Sequence, residues 1–182
     1  LSAQVTMGDA EITQTPDGSP FDLTAAGLIP ADAVLLLAAH VSRAVTLTEW
    51  MDPSILDEDK PDERDPSLNI YDPANPNQPP YNAAYIATYR AAQIARNRRI
   101  TARAKARLAA IAASGEPDAE HCFTVHGTMA DLRWKDPAVD PSDRAPGTCY
   151  LGDPFIVNDG PVGLARFTTA RSWLSQWSYD ET

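Results

Sequence analysis

Residues 82–114, NAAYIATYRAAQIARNRRITARAKARLAAIAAS, decide the fold class. The segment predicts one long helix, capped near Asn82 and stopped at Gly115, with Pro117 just beyond. At 100° per residue, Ile86, Ile94, Ile100, Ala104, Leu108 and Ile111 share one side. Arg96, Arg99, Arg103 and Arg107 form a stripe with Tyr85 and Tyr89 on another. Such a helix is amphipathic, and its apolar side needs a body to lie on.

Charge sets the next expectation. The segment holds six Arg and one Lys with no acid, a local +7 in a chain of net charge -10. That leaves 8 cations against 25 acids, or -17, elsewhere. Just upstream, residues 52–81, DPSILDEDKPDERDPSLNIYDPANPNQPPY, carry seven acids between 52 and 65 and seven prolines between 53 and 80. A connection this long is functional or disordered more often than casual. Its acids are expected to answer the arginine stripe within the molecule. The rival, an anion or nucleic-acid site on Arg96, Arg99, Arg103 and Arg107 with the tyrosines, has the overall charge against it, and no nucleic-acid partner is expected.

Further out, Ala33–Ala39, AVLLLAA, is the longest apolar run and fits a strand buried on both faces, or a buried helical turn. One other extended candidate, Cys122–Val125, is visible, too little for the sheet that such a strand demands. Residues 1–30 read as a short helical remnant and loop, with PDGSP at 16–20 as a turn cluster. Residues 131–161 return to irregular, Pro- and Gly-punctuated sequence. A last helix is expected to begin at Asp159 and Pro161, with Leu164, Phe167, Arg171, Leu174 and Ser178 on one side and Trp173 and Trp177 on its flank. The fold class expected is mostly α with one or two strands.

At 182 residues the chain suits one domain, and its 16 prolines predict long irregular connections. No run approaches the roughly 20 apolar residues of a membrane span, so no membrane partner is expected. The opening LSAQVTMGDAEITQ lacks the basic and apolar regions of a signal peptide, and a cytoplasmic location is the expectation. The chain also begins without methionine, as an excerpt or a processed product would. Cys122 and Cys149 set no disulfide framework, and a chain of this size does not need one.

Among residues that could carry chemistry, His121 and His126 flank Cys122 in HCFTVH. On a strand, spacings of one and four send these side chains to different faces, and no second cluster completes a zinc site; no metal is expected. His40 follows the apolar run, where a parallel strand would deliver it to a ligand crevice; a hydrogen bond to backbone at a strand end explains it equally well. Ser42 has no G-x-S-x-G around it to expose a nucleophile. No Walker loop, dinucleotide fingerprint or other cofactor motif occurs, and none is expected to bind. Among the bulky residues, Trp50 and Trp134 stand in irregular segments and are the candidates for a pocket wall.

Five stretches carry a resemblance: LIPADAVLLLAAHVSRAVTLTEWMDPSILDE (28–58), YDPANPNQPPY (71–81), RAAQIARNRRITA (90–102), VHGTMADLRWKDPAVDPSDRAPGTCYLGDP (125–154) and GLARFTTARSWLSQWSYD (163–180). Together they resemble a family of bacterial α/β-hydrolase-fold proteins, serine hydrolases. The resemblance implies the middle of such a fold, with an incomplete parallel sheet. Residues 1–49 would be partial core, 50–160 the lid with its long helix 82–114, and 161–182 a helix returning to the core. The nucleophilic serine would precede Leu1, and the acid and histidine would follow Thr182, so no catalytic residue is carried over. His40, Trp50 and Trp134 would then be substrate-binding. The partners implied are the remainder of the hydrolase chain and a small apolar or ester-like substrate. The alternative is a non-catalytic module that uses the long helix as its contact surface.

Overall fold

The computed structural model describes residues 11–15, 18–35, 42–116, 122–139 and 166–180. In chain order these form α1 (Arg43–Trp50), α2 (Ala83–Ala113), β1 (Cys122–Val125), two 3-10 turns (Leu132–Trp134 and Pro137–Val139), β2 (Arg166–Thr169) and α3 (Ala170–Gln176).

The central element is α2, 31 residues long. Asn82 caps it, its Oδ1 accepting the Tyr85 N–H at 2.9 Å, and Gly115 ends it at φ +84°, a conformation that favours glycine. Both boundaries fall where the sequence predicts them. The buried face is rotated from the predicted isoleucine line toward the tyrosine and arginine side. Tyr85, Tyr89, Gln93, Arg96, Asn97, Ile100, Thr101, Ala104 and Ile111 are inside, while Ile86, Ile94 and Leu108 are half-buried. The physical cause is the partner: irregular chain full of backbone carbonyls covers this face, and polar side chains that can donate to them are stabilised there.

Two apolar clusters divide the length of α2. Ile100 and Ala104 pack with Leu47 of α1 and Met51 just after it, Val125 of β1, and Ala170, Trp173 and Leu174 of α3. Nearer the helix start, Tyr85 and Tyr89 pack with Ile70, Tyr81, Ala130 and Leu132. Burial of each large aliphatic side chain contributes about 1.5–3 kcal/mol. Between the clusters Asn97 ties the chain end to the helix. Its Nδ2 donates to Thr48 Oγ1 at 2.9 Å and to the Trp177 carbonyl at 2.8 Å, and its Oδ1 accepts the Tyr179 N–H at 2.9 Å.

The described residues bear on four expectations. The two-stranded sheet is antiparallel, pairing Cys122 with Thr169 and Val125 with Arg166, so the described residues contain no parallel sheet. The last helix does not run through Phe167: RFTT, residues 166–169, pairs as a strand, and Thr169 is the cap, its Oγ1 accepting the Ser172 N–H at 3.2 Å. Two threonines and a phenylalanine favour the extended state next to β1. Asp159 and Pro161 lie outside the described residues. Of the apolar run, Ala33, Val34 and Leu35 form no strand, and Val34 and Leu35 are 50% and 81% exposed; residues 36–39 lie outside the described residues. Residues 1–10, where the helical remnant is expected, lie outside the described residues; the described part of 11–30 is loop, with a bridge between Gln14 and Pro20.

The acidic connection is ordered. Asp52, Asp57, Asp65, Asn69, Asp72 and Asn75 each accept the N–H two residues on, a chain of local turns that replaces regular structure. A bridge between Ile55 and Arg64 folds residues 55–64 into an acidic finger lying along the arginines of α2. No described helix is long and apolar enough to cross a membrane.

Candidate functional site

Two segments meet on the flank of α2: 49–58, which begins with the last two residues of α1, so that Trp50 ends a helix and does not stand in irregular chain, and 126–134, which ends in the first 3-10 turn. Backbone bonds join them: the Ala130 N–H donates to the Trp50 carbonyl and the Asp52 N–H to the Gly127 carbonyl, each at 2.7 Å. Residues 51–55 and 127–132 are all buried. Gly127 sits at φ +56°, and a Cβ there would meet the Asp52 Cβ and Ile55 Cδ1 at 2.9 Å, so both the turn and the approach require glycine.

Donors from successive turns of α2 fasten this junction. The Tyr89 hydroxyl donates to the Ala130 carbonyl at 2.6 Å, and burial, with Asp52 and Tyr85 nearby, holds that phenol protonated far above its ordinary range. Gln93 Nε2 donates to the carbonyls of Glu49 at 2.6 Å and Met51 at 2.9 Å. Arg96, fully buried, gives a two-pronged bond to Glu58 (Nε to Oε1 at 2.9 Å, Nη2 to Oε2 at 2.7 Å). It also donates to the carbonyls of Asp52 at 2.8 Å, His126 at 2.7 Å and Gly127 at 3.3 Å. Arg99 adds a bond to Glu58 at 3.1 Å and Arg103 pairs with Asp59. Burial pushes the Glu58 carboxyl up, but the hydrogen bonds and charges of Arg96 and Arg99 outweigh it and hold it below the usual range. Arg96, Arg99 and Arg103 of the stripe therefore answer the acidic loop within the molecule.

The junction carries Trp50 and Trp134, 84 positions apart in sequence, with ring centroids 6.2 Å apart at an angle of 39°. Both are half-buried. The residues just before them are also joined: Arg133 Nη2 donates to Glu49 Oε2 at 2.9 Å. Arg133 binds Asp131 as well, through Nε at 2.8 Å. Asp131 is buried, caps the 3-10 turn that bears Trp134 by accepting the Arg133 N–H at 3.0 Å, and receives Arg90 Nη2 at 3.1 Å. Arg90 Nη1 also reaches the Glu49 carbonyl at 3.2 Å. The two rings thus stand on a braced frame, not on loose loops.

Of the residues singled out in the sequence, Trp50 and Trp134 are brought together, and His40 lies outside the described residues. Ser42 serves as the cap of α1, its Oγ accepting the Val45 N–H at 3.3 Å. His121 and Cys149 also lie outside the described residues, and Cys122 has a free, exposed thiol on β1. No group of three His, Cys, Asp or Glu side chains that could hold a metal occurs among the described residues. Glu49, Asp131 and Arg133 carry no sequence signal of this role, and Arg90 and Gln93 carry a weak one. On α2, polar residues at 90, 93, 96 and 97 recur at helical spacing beside the buried tyrosines, which marks a polar face turned inward.

No family model, curated protein or solved structure matches the chain.

Proposed function

We propose that this chain supplies the lid and adjoining core of a serine α/β hydrolase that cleaves an ester-like bond by acyl transfer. In such an enzyme a serine attacks the carbonyl, a histidine takes its proton and a carboxylate orients the histidine. None of these three roles is assigned to a residue of this chain. Its part is to wall the substrate pocket and limit water access, with Trp50 and Trp134 toward the substrate.

The observation that carries the proposal is the braced tryptophan pair. Two half-buried indoles from distant segments, held at 6.2 Å by an ion pair between their preceding residues, form a preorganised apolar wall. An interaction module presenting the long helix is the weaker reading, because the Tyr85, Tyr89, Arg96 and Ile100 side of that helix is covered by its own chain.

A serine-directed fluorophosphonate tests the proposal on the protein expressed from its whole reading frame. Expected are covalent labelling, turnover of a chromogenic short-chain ester, and neither with residues 1–182 alone. Absence of labelling and turnover in the whole protein, or turnover by residues 1–182 that is lost in Ser42→Ala, would overturn it.

A further inference from the structure

We infer that the cavity between α1, the two-stranded sheet and α3 binds a small monocarboxylate, with the ligand's apolar group inside and its carboxylate on Arg43 at the rim. The inference does not rest on the hydrolase proposal. The cavity holds about 310 Å³, the lower end of the range for small-molecule sites, which suits one ring with a short chain. Leu47 of α1, Val125 of β1, Phe167 and Thr168 of β2, Trp173 of α3 and Trp177 just after it form its walls. Among the described residues no charged side chain lines it. Two of its polar groups are turned to the chain: Thr168 Oγ1 donates to the Thr169 carbonyl at 3.3 Å and Trp173 Nε1 to Thr101 Oγ1 at 2.9 Å. The walls therefore offer apolar contact and select an apolar group. Phe167 is 77% exposed, so this wall is open to water and a ligand lying on it removes apolar surface from solvent.

The charge stands at one end. Arg43 opens α1 one turn before Leu47, on the same side of the helix. Its guanidinium carbon lies 5.9 Å from the centroid of the Trp177 ring, which walls the cavity. Its Nη1 donates to Gln176 Oε1 at 3.3 Å. Both contacts are to uncharged groups, and Arg43 pairs with no carboxylate among the described residues. On α2, by contrast, Arg96, Arg98, Arg99 and Arg103 each hold an acid. A guanidinium presents its donors as a planar fork that fits a carboxylate through two parallel bonds, and the Gln176 bond uses only one of them. A ligand carboxylate supplies the missing counter-charge while its apolar group lies against Phe167 and Trp173. A neutral amide makes the same apolar contact without the ion pair, and an ammonium meets a like charge.

The test is isothermal titration calorimetry of the protein expressed from its whole reading frame, with three ligands of one skeleton: phenylbutanoate, phenylbutanamide and phenylbutylammonium. Phenylbutanoate is expected to bind at least about tenfold more tightly than the amide, and the ammonium more weakly than either. Arg43→Gln is expected to bring phenylbutanoate down to the amide's affinity and leave the amide unchanged, while Arg43→Lys keeps part of the preference. Phe167→Ser is expected to weaken acid and amide alike, by about fivefold or more, with their ratio kept. Both side chains are exposed, so urea midpoints equal to that of the native protein are expected for these variants. No binding of phenylbutanoate, equal or tighter binding of the amide, a preference that survives Arg43→Gln, or affinities unchanged in Phe167→Ser would overturn the inference. None of these readouts needs catalysis. Failure of the fluorophosphonate label with the expected ligand order would remove the hydrolase and leave the carboxylate site; the reverse pattern would remove the inference alone.

Discussion

Replacing Arg96 with methionine keeps most of the buried volume and removes every donor of the guanidinium. The structure sets the size of the loss. Arg96 and Glu58 side chains are 1% and 6% exposed, so the substitution leaves a buried carboxylate that has lost its two-pronged partner. Breaking a buried pair from one side costs about 3–5 kcal/mol. Arg99 still reaches Glu58 at 3.1 Å, which places the electrostatic part near the lower end. The carbonyls of His126 and Asp52 also lose donors at 2.7 and 2.8 Å, adding about 1 kcal/mol after relaxation. The sum is about 4 kcal/mol, a large share of the 5–15 kcal/mol usual for a domain. With a urea slope of about 2 kcal/mol/M, the circular-dichroism midpoint should fall by about 2 M. Adding Glu58→Leu to Arg96→Met should restore part of the loss, because the orphaned charge is gone. A loss under about 1 kcal/mol, or a double variant no more stable than the single, would refute the assignment of Arg96 as the bolt between the two loops.

Three further outcomes follow from the same frame. Gly127→Ala should destabilise by about 2–4 kcal/mol in urea melts, since it combines positive φ with contacts of 2.9 Å to Asp52 and Ile55. Asn97→Ala should cost about 2–3 kcal/mol and release the chain end, seen as faster hydrogen exchange at the Tyr179 amide, which Asn97 Oδ1 now accepts. For pH, the Glu58 carboxyl titrates below its unfolded value, so in that interval the unfolded chain binds more protons. Its contribution is therefore complete above the ordinary glutamate range and lost as pH falls through the depressed value; urea melts at a series of acid pH values should show that slope in the native protein and a flatter one in Glu58→Gln.

The parts of the fold written in local chemistry were legible. Asn82 and Gly115 bound α2 because cap and stop depend on single residues, and the charge separation of 52–65 from 82–114 foretold Glu58 with Arg96 and Arg99, and Asp59 with Arg103. The rotation of α2 was not legible. Hydrophobic periodicity weights Ile86 and Ile94 over Arg96 and Asn97, whereas the loops packed on the helix supply carbonyls that only polar side chains satisfy. The spacing of Phe167 to Arg171 and Leu174 fits 3.6 residues per turn and favours a helix locally; its pairing opposite Thr124 is a long-range contact that no local window contains. At the candidate site, irregular context singled out Trp50 and Trp134, but their frame of Arg90, Gln93, Asp131 and Arg133 depends on which loop carbonyls and carboxylates face the helix.

The wall itself is tested most directly by steady-state hydrolysis of a chromogenic ester by the whole protein carrying Trp50→Ala, Trp134→Ala or both. The rings should act as a positioned surface: KM rises about fivefold or more in each single variant, kcat stays within about twofold, and the double variant loses less than the product of the singles because the rings share one contact. Unchanged KM in both single variants, with urea midpoints also unchanged, would contradict the placement of these tryptophans against a substrate.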